Sequence, residues 1–106
     1  MEAHVRAFND GVRTGDWEAM LSRFADDAEL RFENVPAGPF VGLEAIREAY
    51  RERPPDDEIV PLGVQEPDER SVVCAFAWSK GGTGRMTVEH ERGAVKRLTV
   101  VFDESG

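Results

Sequence analysis

The hydrophobic pattern of this chain changes period part-way along, and that change constrains the fold more than any other feature. Up to residue 24 the apolar residues recur at three- and four-residue intervals, and from Ala28 they largely alternate. Met1, Val5, Phe8 and Val12 form one helical stripe. Gly15 is a natural C-terminal stop, and Asp16 a natural N-cap for a second helix that carries Trp17, Met20, Leu21 and Phe24 and ends at Asp26-Asp27. Ala28 to Glu33 then reads as a half-buried strand, with Leu30 and Phe32 on one face. A loop with two prolines leads to a very short strand, Phe40-Val41. A third helix carries Leu43, Ile46 and Tyr50 on one side and stops at Pro54-Pro55. Glu58 to Gln65, interrupted by Pro61 and Gly63, suits an edge or bulged strand. Ser71–Ser79, Arg85–Glu91 and Val95–Phe102 complete an antiparallel meander, turned at Gly81-Gly82-Thr83-Gly84 and at Arg92-Gly93. Three helical segments followed by a meander predict an α+β fold, with the three N-terminal helices packed on one face of a curled antiparallel sheet.

Length and composition narrow the function classes. With 106 residues the chain is expected to be one domain, 1–106. A net charge of −8 disfavours nucleic acid and anionic membranes as partners. No apolar run approaches the roughly 20 residues of a membrane span, and the opening Met1-Glu2-Ala3-His4 is unlike a secretory signal. A single cysteine, Cys74, cannot close an internal disulfide, so a cytoplasmic location is expected. Gly81–Gly84 lacks the lysine and following helix of a phosphate loop, and the two histidines lack metal-ligand spacing. No cofactor and no metal are therefore expected.

Four segments carry a family resemblance. Val12-Arg13-Thr14-Gly15-Asp16-Trp17 followed by Arg23-Phe24-Ala25-Asp26-Asp27-Ala28-Glu29-Leu30 resembles the opening of the nuclear transport factor 2-like superfamily, which includes SnoaL-type polyketide cyclases and ketosteroid isomerases. Phe40–Ile46 resembles its motif at the third helix, and Leu98–Asp103 its last strand. The resemblance implies a cone with an apolar pocket at one end and a habit of dimerising through the outer sheet face. It does not carry over the isomerase machinery of a carboxylate base with tyrosine and protonated aspartic acid donors. Phe8 stands where the donor tyrosine should be, Phe32 where the base should be, and Gly84 or Arg85 where the second acid should be. Tyr50 matches a supporting tyrosine, and the neighbour of that tyrosine matches Phe24.

The remaining candidates are few. His90 shares a strand face with Met86 and Val88, and its ordinary pKa suits a general base; the plainer reading is a wet histidine at a hairpin end. His4 falls on the edge of the first helical stripe. Glu33 is one residue out of register for the chamber and should face solvent, Asp26-Asp27 suits a turn, and Cys74 suits a buried structural thiol. Phe8, Phe24, Phe32, Tyr50, Phe76, Trp78, Met86, Val88 and Phe102 are expected to line a hydrophobic pocket. Two functions follow. The domain is an isomerase- or cyclase-type enzyme acting on a hydrophobic cyclic or polyketide-like substrate through Tyr50 and His90, or a non-catalytic ligand-binding or dimerisation module that has lost its catalytic carboxylates. A homodimer is expected through Val73, Ala75, Ala77, Thr99 and Val101 on the outer sheet face.

Overall fold

Glycine and proline punctuation sets the element ends in the computed structural model, which describes residues 1–103; the end of the expected 1–106 domain, residues 104–106, lies outside the described residues. Helix α1, Glu2–Thr14, buries His4, Val5, Phe8 and Gly11, and Gly15 ends it in the left-handed conformation, its N–H bonded to the Gly11 carbonyl. The N-cap position falls on Trp17 rather than on Asp16, whose carboxylate one residue earlier accepts the Glu18 N–H at 3.0 Å. The helix that follows is a single turn, α2, Glu18–Leu21.

That brevity is a correction. Phe24 does not continue α2 but opens strand β1, Phe24–Glu33, and Asp26 and Asp27 lie inside the strand rather than in a turn before it. The Arg23 carbonyl accepts the Val95 N–H at 2.8 Å, so pairing with the last strand draws the segment out of the helix. The pairing slips between Phe24 and Glu29, and this irregular stretch holds the two aspartates exposed, with Asp27 bonded to Lys96. Phe24 is buried in either conformation, which is why helical spacing alone misassigned it.

Beyond β1 come β2 (Phe40–Val41), α3 (Leu43–Glu52), β3 (Ile59–Gln65), β4 (Ser71–Trp78), β5 (Thr83–Glu91) and β6 (Ala94–Phe102). Arg92 and Gly93, both with positive φ, make the tight β5–β6 turn. The strands form one sheet in the order β2-β1-β6-β5-β4-β3. The α+β class and the helices packed on a curved meander hold, and the sheet is mixed. Every neighbouring pair is antiparallel except β1 and β6, which run parallel because the whole meander intervenes between them.

The helices cover one face of this sheet. Met20, Leu21, Ile46, Phe76, Met86 and Val88 are essentially inaccessible, each contributing about 1.5–3 kcal/mol by burial. Gly11 has a specific role. A β-carbon there would lie 2.3 Å from Cε3 of Trp17, so only glycine lets the indole pack against α1. At the sheet edge Asn9 on α1 treats β3 as a strand would, its amide donating to the Ile59 carbonyl at 2.9 Å and accepting the Ile59 N–H at 2.8 Å. As expected, β3 is an irregular edge strand, its register shifting between Pro61 and Gly63. No helix among the described residues is long and apolar enough to cross a membrane.

Candidate functional site

Between the helices and the covered sheet face lies a cavity of about 740 Å³. Its walls follow from strand alternation: Phe76 and Trp78 on β4, Met86 on β5, and Leu98, Val100 and Phe102 on β6 all project to the same side. The α1 residues His4 and Phe8 and the α3 residue Tyr50 close it opposite. The loop after β1 brings Val35, Pro36 and Ala37 to the rim.

Aromatic rings run in sequence along the wall. Phe8 and Trp78 have centroids 6.2 Å apart, Trp78 and Phe102 stack at 5.6 Å and 11°, Phe102 and Phe32 lie at 6.1 Å, and Phe32 meets Phe40 edge-on at 6.2 Å. Such pairs add about 0.5–1.5 kcal/mol each beyond burial and hold the rings in fixed orientations. A second chain of rings positions Tyr50. Trp17 packs 5.6 Å from Phe8 and 5.0 Å from Tyr50, and the bare face of Gly11 admits Trp17.

Polar groups in the chamber are sparse. Tyr50 is buried, and burial holds its phenol neutral, with a pKa well above the ordinary value. His4 is 2% exposed, and its Nδ1 finds no hydrogen-bond partner among the described residues. Burial above all, then the nearby charge of Arg23, brings its pKa from 6.5 to about 4, so the imidazole is neutral at pH 7. The indole Nε1 of Trp78 is likewise buried without a partner. Charged side chains gather at the rim, where Glu52, Arg53, Asp56 and Asp57 border the opening. Asp57 is already engaged, accepting bonds from the Ser79 hydroxyl and the Lys80 N–H, and Lys80 lies 3.4 Å from Asp56.

Of the residues anticipated from sequence, Phe8, Phe32, Tyr50, Phe76, Trp78, Met86 and Phe102 line this space. Phe24 and Val88 do not; they are packed into the core, Phe24 edge-on to His4 at 6.1 Å. His90 also stands apart. It lies near the end of β5 opposite Val95, far along the strand from the Gly84–Phe102 pair, and sits in a small polar depression with Glu69, Arg70, Glu91, Arg92 and Gly93. Tyr50 and His90 are therefore not brought together. His4 was missed. Its spacing of four to Phe8 and seven to Gly11 puts it on the buried stripe, a signal outweighed by reading the stripe through Met1 and Val12.

Gly84 shows why no acid can occupy the position expected of a second donor. It pairs with Phe76, and a β-carbon on it would lie 2.9 Å from Cζ of that ring and 2.6 Å from the Val101 carbonyl. Glu33 is exposed, as alternation required. Cys74 is buried and its thiol pKa is raised by burial, which makes it a poor nucleophile. Among the described residues no three His, Cys, Asp or Glu side chains gather as metal ligands.

Comparison with known proteins agrees with this architecture. The SnoaL-like domain family matches residues 5–102. The structure of TerC co-crystallised with polyporic acid superposes with a TM-score of 0.76 at 20% identity, over 94% of this chain and 88% of that one. A putative ketosteroid isomerase from Kribbella flavida gives 0.73 at 20% identity, over 98% and 78% of the two chains. A putative polyketide cyclase from Sinorhizobium meliloti gives 0.71 at 19% identity, over 92% of each. At these identities the likeness is one of fold. No curated protein matches the chain in sequence.

Proposed function

The chain belongs to the SnoaL-like domain family, and on that footing we propose that its chamber binds an apolar cyclic small molecule, of the steroid, phenol or polyketide kind, for isomerase- or cyclase-type chemistry. The observation that carries this reading is the cavity itself: about 740 Å³ walled by ordered aromatic rings, with polar atoms confined to a few points. That volume suits a ligand of drug size, and such sites are usually apolar with few polar contacts. Structural neighbours named as a ketosteroid isomerase and a polyketide cyclase, and one co-crystallised with polyporic acid, lend the substrate class support. Tyr50 is the chamber's phenol and the proposed hydrogen-bond donor to a ligand oxygen. His90, outside the chamber, takes no part in this proposal.

A specific observation favours a second reading, a module that binds without turnover. Phe8 and Phe32 line the chamber, and the space before Gly84 is filled by Phe76, so the positions at which the family resemblance would place acids and donors are apolar. Two further proposals concern setting. The domain pairs with a second copy through the outer sheet face that bears Val73, Ala75, Ala77, Thr99 and Val101, beside the exposed Val60 and Leu62 of β3. It works in the cytoplasm, an inference from its single buried thiol.

Ligand-dependent thermal unfolding tests the central reading with steroids, phenols and polyketide-like lactones. A ligand at a hundredfold excess over its Kd adds about 2.7 kcal/mol, which for a chain of this length raises Tm by roughly 10 °C. If every class leaves Tm unchanged, the chamber is not a binding site for such molecules. Turnover of a ligand that does bind then separates the enzyme from the module.

A further inference from the structure

The chamber floor carries a polar group that the walls do not explain. His4 is 2% exposed, lines the cavity, and leaves Nδ1 without a hydrogen-bond partner among the described residues. Buried polar atoms are almost always paired, so an unpaired one beside a cavity points to a partner that enters it. We infer that His4 is the polar anchor of the chamber, hydrogen-bonding a hydroxyl group of a neutral cyclic ligand and setting which end of that ligand enters first. The inference rests on the proposed small-molecule reading and assigns to it a residue and a functional group.

Three observations define that functional group. First, the cation of Arg23 acts on His4, so a second positive charge is resisted there and the imidazole stays neutral. A neutral imidazole offers one donor and one acceptor. A hydroxyl can answer either, whichever nitrogen carries the proton, whereas a ketone answers only the donor. Second, without an imidazolium the floor offers a carboxylate no ion pair through His4. Third, three carboxylates at the entrance, Glu52, Asp56 and Asp57, outnumber the cations Arg53 and Lys80 beside them, so the balance disfavours an anion on a chain of net charge −8. The ligand is therefore uncharged, and its apolar body lies along the aromatic wall from Phe8 to Phe102. His4 binds here rather than taking a proton: the burial and the Arg23 charge that keep it neutral also make it a weak base.

The test compares 2-naphthol with naphthalene, binding followed by ligand fluorescence, on the wild-type chain and on His4→Phe, His4→Gln and Trp78→Phe variants whose fold is checked by near-ultraviolet circular dichroism. Wild type is expected to prefer 2-naphthol by about tenfold, the worth of one hydrogen bond. His4→Phe should bring the two probes within twofold while leaving naphthalene affinity unchanged, and His4→Gln, which keeps a donor and an acceptor, should restore part of the preference. Equal binding of both probes by wild type, or a preference that survives in His4→Phe, overturns the anchor and leaves the chamber reading intact. A preference lost only in Trp78→Phe overturns it in favour of the indole N–H. If wild type binds neither probe and nothing in the wider ligand panel, the chamber reading fails and the anchor with it. Should His4→Phe not fold, the His4→Gln chain decides: a naphthol preference reduced or abolished with naphthalene affinity kept supports the anchor, and a preference kept in full overturns it.

Discussion

Acidification from pH 7 to pH 4 should remove about 3 kcal/mol of folding stability through His4 alone. In the folded chain burial, with the charges of Arg23, the amino terminus and His90, brings the imidazole from 6.5 to about 4. The unfolded chain keeps the ordinary value, so between those limits it holds a proton that the folded chain does not. Stability from the neutral buried ring is complete above about pH 6.5, falls as pH falls, and stops falling below about pH 4. Two and a half units at roughly 1.4 kcal/mol each set the size of the loss. Urea unfolding of the wild-type chain and of His4→Phe at pH 7, 5.5 and 4.5 measures it. Carboxylates titrate in both proteins, including Asp27, whose carboxyl Lys96 holds below its ordinary range, so the difference between the two curves isolates the imidazole. Relative to the variant, wild type should lose about 1 kcal/mol by pH 5.5 and about 2–3 kcal/mol by pH 4.5. Parallel pH profiles would refute a buried neutral His4 and the reasoning built on it.

Other perturbations probe the supports of the chamber and its setting. Gly11→Ala gains helix propensity of about 1 kcal/mol, but its β-carbon would lie 2.3 Å from the Trp17 ring. A net loss of about 1–2 kcal/mol is expected, read as a Tm lower by roughly 5–10 °C, and an unchanged or higher Tm contradicts the packing described. Asn9→Ala removes both bonds to Ile59 and should cost about 1–3 kcal/mol in urea unfolding; a neutral result means the α1–β3 clamp carries no energy. Ala75→Arg places a charge on the proposed dimer face, and sedimentation should report a dimer for wild type and a monomer for the variant. A monomeric wild type at micromolar concentration removes the interface.

Most of the architecture was legible because it rests on local rules. Alternation in β4, β5 and β6 specified that Phe76, Trp78, Met86, Leu98, Val100 and Phe102 share one face, and those residues do wall the chamber. Gly15, Asp16 and the Pro54-Pro55 pair marked helix ends through their own backbone and side-chain chemistry. Where the chemistry of a residue depends on a partner far away in the chain, local rules gave out. Phe24 left its helix because Val95, some seventy residues later, pairs with Arg23. His90 lies outside the chamber because it closes β5 beside the Arg92-Gly93 turn, at the opposite end of the strand from the Gly84–Phe102 pair. His4 entered it because α1 lies with the 4-8-11 stripe inward, a rotation decided by Trp17 docking on Gly11 and by Asn9 reaching Ile59.

The sequence alone determined the order and kind of the elements, the inward face of the meander and the lack of carboxylates on it, since propensity, period and side-chain identity act within a few residues. Only the tertiary structure decided which polar groups meet the cavity, because that depends on helix rotation, strand register and the parallel β1–β6 pairing, all long-range contacts whose free energy exists only once the chain has closed on itself.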